Sequence, residues 1–442
     1  MLTQRLFRFE IQNFLVYSLF FLYFYTLSAD LLSFPLVLFR IKASFFFALI
    51  LLAVSLPMFK HFHLPQSAWY SFFFLFFSIL ISSFFSVLPY RSFAYVALFA
   101  FQFFCYFLVP LQLVLNFDQE KIFKLYWLGF LLTGFHAFSQ LFLSFFGIID
   151  PFVRQHIGKL ARPHAMTYEP SYYALYMCTF VMFYNAKVLL ENKSILRSKK
   201  VWSMLGLNLL LLLSTSTGAF FAYFFFLGVG LFFSLFTVAK KQAPILRKKL
   251  RFFFFFLCLF FSILYVIFPQ IFNIYFLKFF IGAALKHGSF MTRWEGIVNA
   301  WEIFVKNPIF GVGLGGVGPL IHQNDILQGA GIKELDYSEI ALLDPTNVLT
   351  EVLASLGLFG LCGFIFLGFA IYIPFKKALQ NPFVTSSQKN TCIALMISLV
   401  TSMLVLQFNQ NIFRTYLWVH TALCYGIFLK LSSKRSTEIE PV

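Results

Sequence analysis

Long apolar runs alternate with short polar stretches from one end of the chain to the other. A helix that crosses a membrane needs about 20 apolar residues. Windows of that kind fall at about 12–36, 43–59, 68–87, 92–116, 123–147, 168–187, 201–215, 217–239, 252–269, 346–373, 391–408 and 411–430. They predict about twelve transmembrane helices. No small-residue cleavage site follows the first run, so none of it is set aside as a removed leader. The segment at about 270–345 is far longer than the other connections and has a helical pattern of its own. In MTRWEGIVNAWEIFVKNP, Trp294, Ile297, Val298, Trp301 and Val305 repeat at the spacing of an amphipathic helix. Thr292 with Glu295 reads as a capping box and Asn307-Pro308 as the stop. This helix is expected to lie on the membrane surface or cap the bundle.

Composition extends the picture to the whole chain. With 60% hydrophobic and 12% charged residues, 69 Phe and a mean hydropathy of +0.81, residues 1–442 read as a single all-α, polytopic membrane domain. Most of the Phe is expected to face lipid. Cys105, Cys178, Cys258, Cys362, Cys392 and Cys424 all lie in apolar runs without metal-ligand or redox spacing, which argues against disulfides and thiolate metal sites.

The net charge of +17 would suggest nucleic acid in a soluble protein. Here its placement decides otherwise. Lysines and arginines gather between spans, at Lys187, Lys193, Arg197, Lys199 and Lys200, and again at Lys240, Lys241, Arg247, Lys248, Lys249 and Arg251. Short basic loops mark the cytoplasmic side, so the bilayer is the partner and no nucleic acid is expected. Alternation from these loops places both termini inside and the segments at about 148–167 and 270–345 outside.

Helices starting near 168, 217 and 346 then present their N-termini outward. Glu169-Pro170, STSTG (214–218) and Asp344-Pro345 are suitable starts. Free N–H groups and the helix dipole make that surface anion-binding. Arg162 lies just before one such helix and Arg293 in the amphipathic helix, and arginine grips phosphate bidentately, so a pyrophosphate is the expected anion. Contact of both arginines with lipid headgroups is the alternative. Gly313, Gly315 and Gly318 in GVGLGGVG match GxGxxG but lack the strand and acidic residue of a dinucleotide site, so a turn allowing close backbone approach fits better. DxD, Walker A, HExxH and GxSxG patterns are absent, which disfavours metal-bound nucleotide sugars.

In order, RPHAMTYEPSYYALY, STSTGAFFA, the stretch R-W-x5-A-W-x2-F-x3-P-x2-G-x-G (Arg293 to Gly313) and TNVLTEVLASLGLFG resemble the bacterial O-antigen ligase and O-antigen polymerase superfamily. The resemblance spans roughly residues 160–360. It implies a glycosyltransferase-C-like fold and a metal-independent, cofactor-free glycosyltransferase in the bacterial cytoplasmic (inner) membrane. Such an enzyme moves a glycan from undecaprenyl pyrophosphate to an acceptor sugar hydroxyl at the outer leaflet. The acceptor is glycan-borne or lipid-linked, and other polysaccharide-assembly proteins are admissible partners. The family's two pyrophosphate-binding arginines map onto Arg162 and Arg293. Ligases of the family carry His-Asn where this chain has Thr346-Asn347, a departure that favours a polymerase over a ligase.

Displacing a pyrophosphate needs cations for the departing charge, assigned to Arg162 and Arg293, and a hydrogen-bond acceptor for the incoming hydroxyl. Glu169 leads for the second role, with helix capping as its alternative; His322, Asp344 and His164 follow. Thr346, Asn347 and Arg414, near the start of the last span, complete the substrate-binding candidates. Tyr168, Tyr172, Trp294 and Trp301 read either as sugar platforms or as interfacial anchors. Two other readings compete: a flippase or transporter for lipid-linked glycans, which should carry charge at mid-membrane depth, and a non-catalytic scaffold.

Overall fold

The computed structural model describes residues 2–35, 40–56, 64–148, 150–153, 156–157, 160–191, 199–214, 216–236, 289–322, 347–408 and 412–434, with isolated positions between 248 and 262. The described chain is predominantly helical: α1 (Leu2–Thr26), α2 (Ala43–Ser55), α3 (Gln66–Phe84), α4 (Pro89–Asn116), α5 (Gln119–Phe145), α6 (Pro170–Glu191), α7 (Lys199–Leu213), α8 (Thr217–Phe236), α9 (Ser289–Lys306), α10 (Val317–His322), α11 (Val348–Gln380), α12 (Ser386–Val405) and α13 (Thr415–Ser432). Every apolar window but 252–269, of which only isolated positions are described, falls on a helix. Among the described residues, six helices (α3, α4, α5, α6, α11 and α12) are long and apolar enough to cross a membrane.

Local sequence sets the ends. Asp118 accepts from the Glu120 N–H (2.9 Å) to start α5, and Thr385 with Gln388 forms a capping box at α12. Proline opens α4 at Pro89 and α6 at Pro170, where its missing N–H leaves no bond unmade. Pro110, inside α4, cannot donate to the preceding turn, and residues Phe103–Leu108 just before it widen into a π-helical turn.

The first apolar window overruns its helix. α1 stops at Thr26, and the chain then forms an antiparallel hairpin, β1 (Ser33–Pro35) with β2 (Arg40–Lys42). A second hairpin, β3 (His156–Ile157) with β4 (Leu160–Ala161), lies in the connection before α6. The capping-box reading of Thr292 and Glu295 is corrected as well: α9 already runs from Ser289, so Thr292 is interior to it. The stripe of α9 faces away from the bundle, with Trp294, Trp301 and Val305 54%, 51% and 59% exposed. The face packed inward is the small one, Gly296, Asn299 and Ala300, with Ile303. Small side chains let α9 approach α11 closely while the tryptophans stay free for an interfacial environment.

α11 is broken at Gly357, which has φ 64° and ψ −165°. The segment after α9 repairs the break. Val312 and Gly313 donate to the carbonyls of Ala354 (2.9 Å) and Ser355 (2.8 Å), while Leu358 and Phe359 donate to those of Pro308 (2.8 Å) and Ile309 (3.1 Å). Ser82 of α3 also donates to the Ser355 carbonyl, at 2.7 Å. A Cβ on Gly357 would overlap the Ile309 carbonyl, and one on Gly311 the Ser355 backbone. Gly311 and Gly357 thus serve a backbone-to-backbone joint, which satisfies groups a broken helix would otherwise bury unpaired.

Candidate functional site

Several of the described polar connections and helix starts meet at one end of the bundle, the end that the charge pattern places outside. The turn after α1 meets the segment before α6 through a bond from the Leu31 N–H to the Met166 carbonyl (2.9 Å) and through Ser33 Oγ and the Tyr168 hydroxyl (3.0 Å). The start of α11 is tied to the chain after α12: Asn347 Nδ2 donates to the Gln407 carbonyl (2.7 Å), and Gln407 Oε1 accepts from the Leu349 N–H (2.9 Å). Glu351, buried in the first turn of α11, accepts from the Ile412 N–H at 3.0 Å. Phe413 packs edge-on to Tyr95 of α4 with ring centroids 5.4 Å apart, and its carbonyl accepts from Gln102 Nε2 at 2.8 Å. Gly313 and Gly315 fit against Ser92 and Tyr95.

Arg414 stands at this junction as the residue before α13. Its Cζ lies 4.0 Å from the centroid of the Tyr172 ring in the first turn of α6. Burial alone would lower its pKa, but the surroundings of Tyr172, Asp30 and Tyr416 more than offset that and raise it, so the guanidinium stays protonated. Its Nε is buried without a hydrogen-bond partner. Asp30, 5% exposed, is ion-paired with Lys42 Nζ at 2.5 Å.

The segment before α6 is an over-determined turn. Gln140 Oε1 accepts from the N–H groups of His164 (3.0 Å) and Ala165 (2.8 Å), and its Nε2 donates to the Ala165 carbonyl (2.9 Å). Ala165 is held at φ 50°, a left-handed conformation that a non-glycine residue adopts only when its surroundings impose it. His164 is fully buried, and its Nδ1 donates to the Thr167 carbonyl at 2.7 Å. That bond defines the tautomer, with the proton on Nδ1.

The sequence candidates are thus distributed unevenly. Arg162 and Glu169 are half-buried beside this turn, and Glu169 Oε2 accepts from Ser171 Oγ (2.8 Å). Asn347 is engaged within the protein at both ends of its amide, since Oδ1 accepts from the Thr350 N–H at 2.9 Å. Arg293 lies in α9 (Ser289–Lys306). The side chains of Arg293 and His322, and all of Thr346 and Asp344, lie outside the described residues. Sequence reasoning passed over Asp30, Arg91 and Glu351. The available signal was a lone charged residue within a turn of an apolar span, in LSADLL, LPYRSF and NVLTEV. No group of His, Cys, Asp and Glu suited to a metal ion occurs among the described residues.

Residues 202–365 match a family model described as O-antigen ligase. The matched stretch runs from α7 through the broken part of α11 and includes Arg293, the glycine joint and Glu351; Arg162, Arg91 and Arg414 fall outside it. The match supports the O-antigen ligase and polymerase superfamily that the ordered motifs resemble, and with the apolar helices it indicates a multi-pass membrane protein. No curated protein matches the chain.

Proposed function

We propose that the chain is a surface-polysaccharide polymerase, with ligase as the nearer variant, which transfers a glycan from a polyprenyl diphosphate to an acceptor sugar hydroxyl on the outer side of the cytoplasmic membrane. The carrying observation is the junction around Arg414. A protonated guanidinium held on Tyr172 shares one end of the bundle with Arg162, Glu169 and the start of α11. A family match that runs through the same end supports it.

The chemistry follows from these residues. Arg162 and Arg293 hold the diphosphate and stabilise the negative charge that grows on it as the glycosidic C–O bond breaks. Glu169 accepts the proton of the attacking hydroxyl as the new bond forms; its bond from Ser171 orients the carboxylate. His164 shapes the turn that carries Arg162, because its ring Nδ1 is committed to the Thr167 carbonyl. The flippase reading is the weaker one: the spans hold few charges, and buried polar groups such as His420, between Tyr126 (3.2 Å) and Ser398 (3.0 Å), are bonded to neighbouring helices rather than lining a path.

The test is deletion of the gene followed by gel analysis of surface glycan. Collapse of a ladder to single repeats indicates the polymerase. Loss of glycan from its lipid anchor with accumulation of lipid-linked chains indicates the ligase, and an unchanged profile rejects both.

A further inference from the structure

Two guanidinium groups at this end of the bundle are not ion-paired to any described residue. Arg91, in the first turn of α4, is 9% exposed, and its buried Nε has no hydrogen-bond partner. Its described contact is the face of the Tyr95 ring, 5.6 Å from Cζ to centroid. Arg414 repeats the arrangement, with its Cζ 4.0 Å from the Tyr172 centroid and an unpartnered, buried Nε. The two are joined by rings: Tyr95 meets Phe413, the residue before Arg414. Gly315 closes over Tyr95 so tightly that a Cβ there would come within 2.7 Å of the ring. The carboxylate that acts on Arg414, Asp30, is already committed to Lys42.

Burying a guanidinium N–H without an acceptor is unfavourable, and each of these arginines buries its Nε that way, although Arg414 also hydrogen-bonds the Tyr172 side chain. Stacking on an aromatic face compensates in part and leaves the edge of the fork open to a planar or tetrahedral oxyanion. We infer that Arg91 and Arg414 form an anion subsite, separate from the Arg162 and Arg293 assignment, that takes a phosphate group carried by a lipid. That phosphate comes either from the diphosphate of a second lipid-linked substrate, which rests on the function proposed above, or from an anionic phospholipid headgroup. In the first case the subsite answers a need of polymerisation, in which donor and acceptor both arrive on diphosphate carriers.

The experiment measures thermal unfolding of the full chain in detergent, titrated separately with undecaprenyl diphosphate and with phosphatidylglycerol, for wild type, R91Q, R414Q, R91K and R414K. The expected result is stabilisation of the wild type by undecaprenyl diphosphate and binding weaker by on the order of tenfold in R91Q and R414Q, the loss of one charge-assisted hydrogen bond. Unliganded stability should change little in R91Q and fall modestly in R414Q, which gives up the contacts with Tyr172 and Asp30, so the ligand-induced shift is the deciding readout. Loss confined to phosphatidylglycerol assigns the subsite to a headgroup. Ligand shifts equal to wild type, whatever the unliganded stability, overturn the inference. Where a Gln variant fails to fold, the Lys variant decides: binding equal to wild type overturns the bidentate subsite. If deleting the gene leaves surface glycan unchanged while these shifts persist, the proposed function falls and the subsite stands.

Discussion

The two ends of the bundle are held together in different ways. At the end that the charge pattern places in the cytoplasm, the ties are loose and wet: Lys200 reaches Glu191 at 3.3 Å while 58% exposed, Lys187 reaches the same carboxylate at 4.0 Å, and Ser387 donates to it at 3.4 Å. At the opposite end the described charges are few, and buried or half-buried. Asp30 is locked to Lys42, Glu351 to a backbone N–H, and Arg414 to the face of Tyr172. Exposed ion pairs contribute little, whereas buried charged groups hold geometry at high stakes because an unpaired member is strongly penalised. One end is built to keep the chain oriented, the other to keep side chains in place.

Substitutions that strain this contrast differ in size. The largest effect is expected at the joint beneath the rigid end: Gly357→Ala imposes both a left-handed φ and an overlap with the Ile309 carbonyl, destabilising by about 4 kcal/mol or more. Loss of folded protein in detergent, followed by size-exclusion chromatography, reads it out, and a monodisperse variant with wild-type Tm contradicts the joint. Next come Arg162→Lys and Arg293→Lys, which keep the charge and remove the fork. Transfer activity should fall by about 100-fold or more with membrane insertion unchanged; a scaffold would show no difference between variant and wild type.

Glu351→Gln should be milder. It weakens a charge-assisted bond to the Ile412 N–H by about 1–2 kcal/mol, seen as a lower Tm and earlier proteolysis near residue 412. If Tm and cleavage are unaltered, that tie does not hold the Arg414 segment. Smallest is Glu191→Gln at the other end, where removal of exposed pairs should shift stability by under about 0.5 kcal/mol and leave activity at wild-type level. A large loss there would erase the distinction between the ends.

The fold was legible where hydrophobic length alone decides. Apolar windows found helices along the described chain, and Pro89, Asp118, Pro170 and Thr385 mark starts with local chemistry. The reading lost accuracy where partners distant in sequence intervene. Hydropathy carries no sign of the hairpin at 33–42 and places no break at Gly357, because that break is stabilised by hydrogen bonds from residues 308–313. The stripe of α9 was visible, but an amphipathic pattern does not say which face meets protein. Here the small face does.

For the candidate site, chain order and residue type were enough to single out Arg162, Glu169 and Arg293, since caps, prolines and arginines lie within a few positions of one another. Arg414 was a substrate-binding candidate from its place at the start of the last span alone, and Arg91, Asp30 and Glu351 were passed over. What sets them apart is a ring, a lysine or a backbone N–H supplied by another helix. The sequence by itself determined that this chain crosses a membrane repeatedly and where its positive charge lies, because both depend on local composition measured against a fixed bilayer thickness. Only the tertiary structure decided which of the scattered charges share one buried junction. Burial and pairing are properties of contacts between segments hundreds of residues apart, as between Ser82 and Ser355.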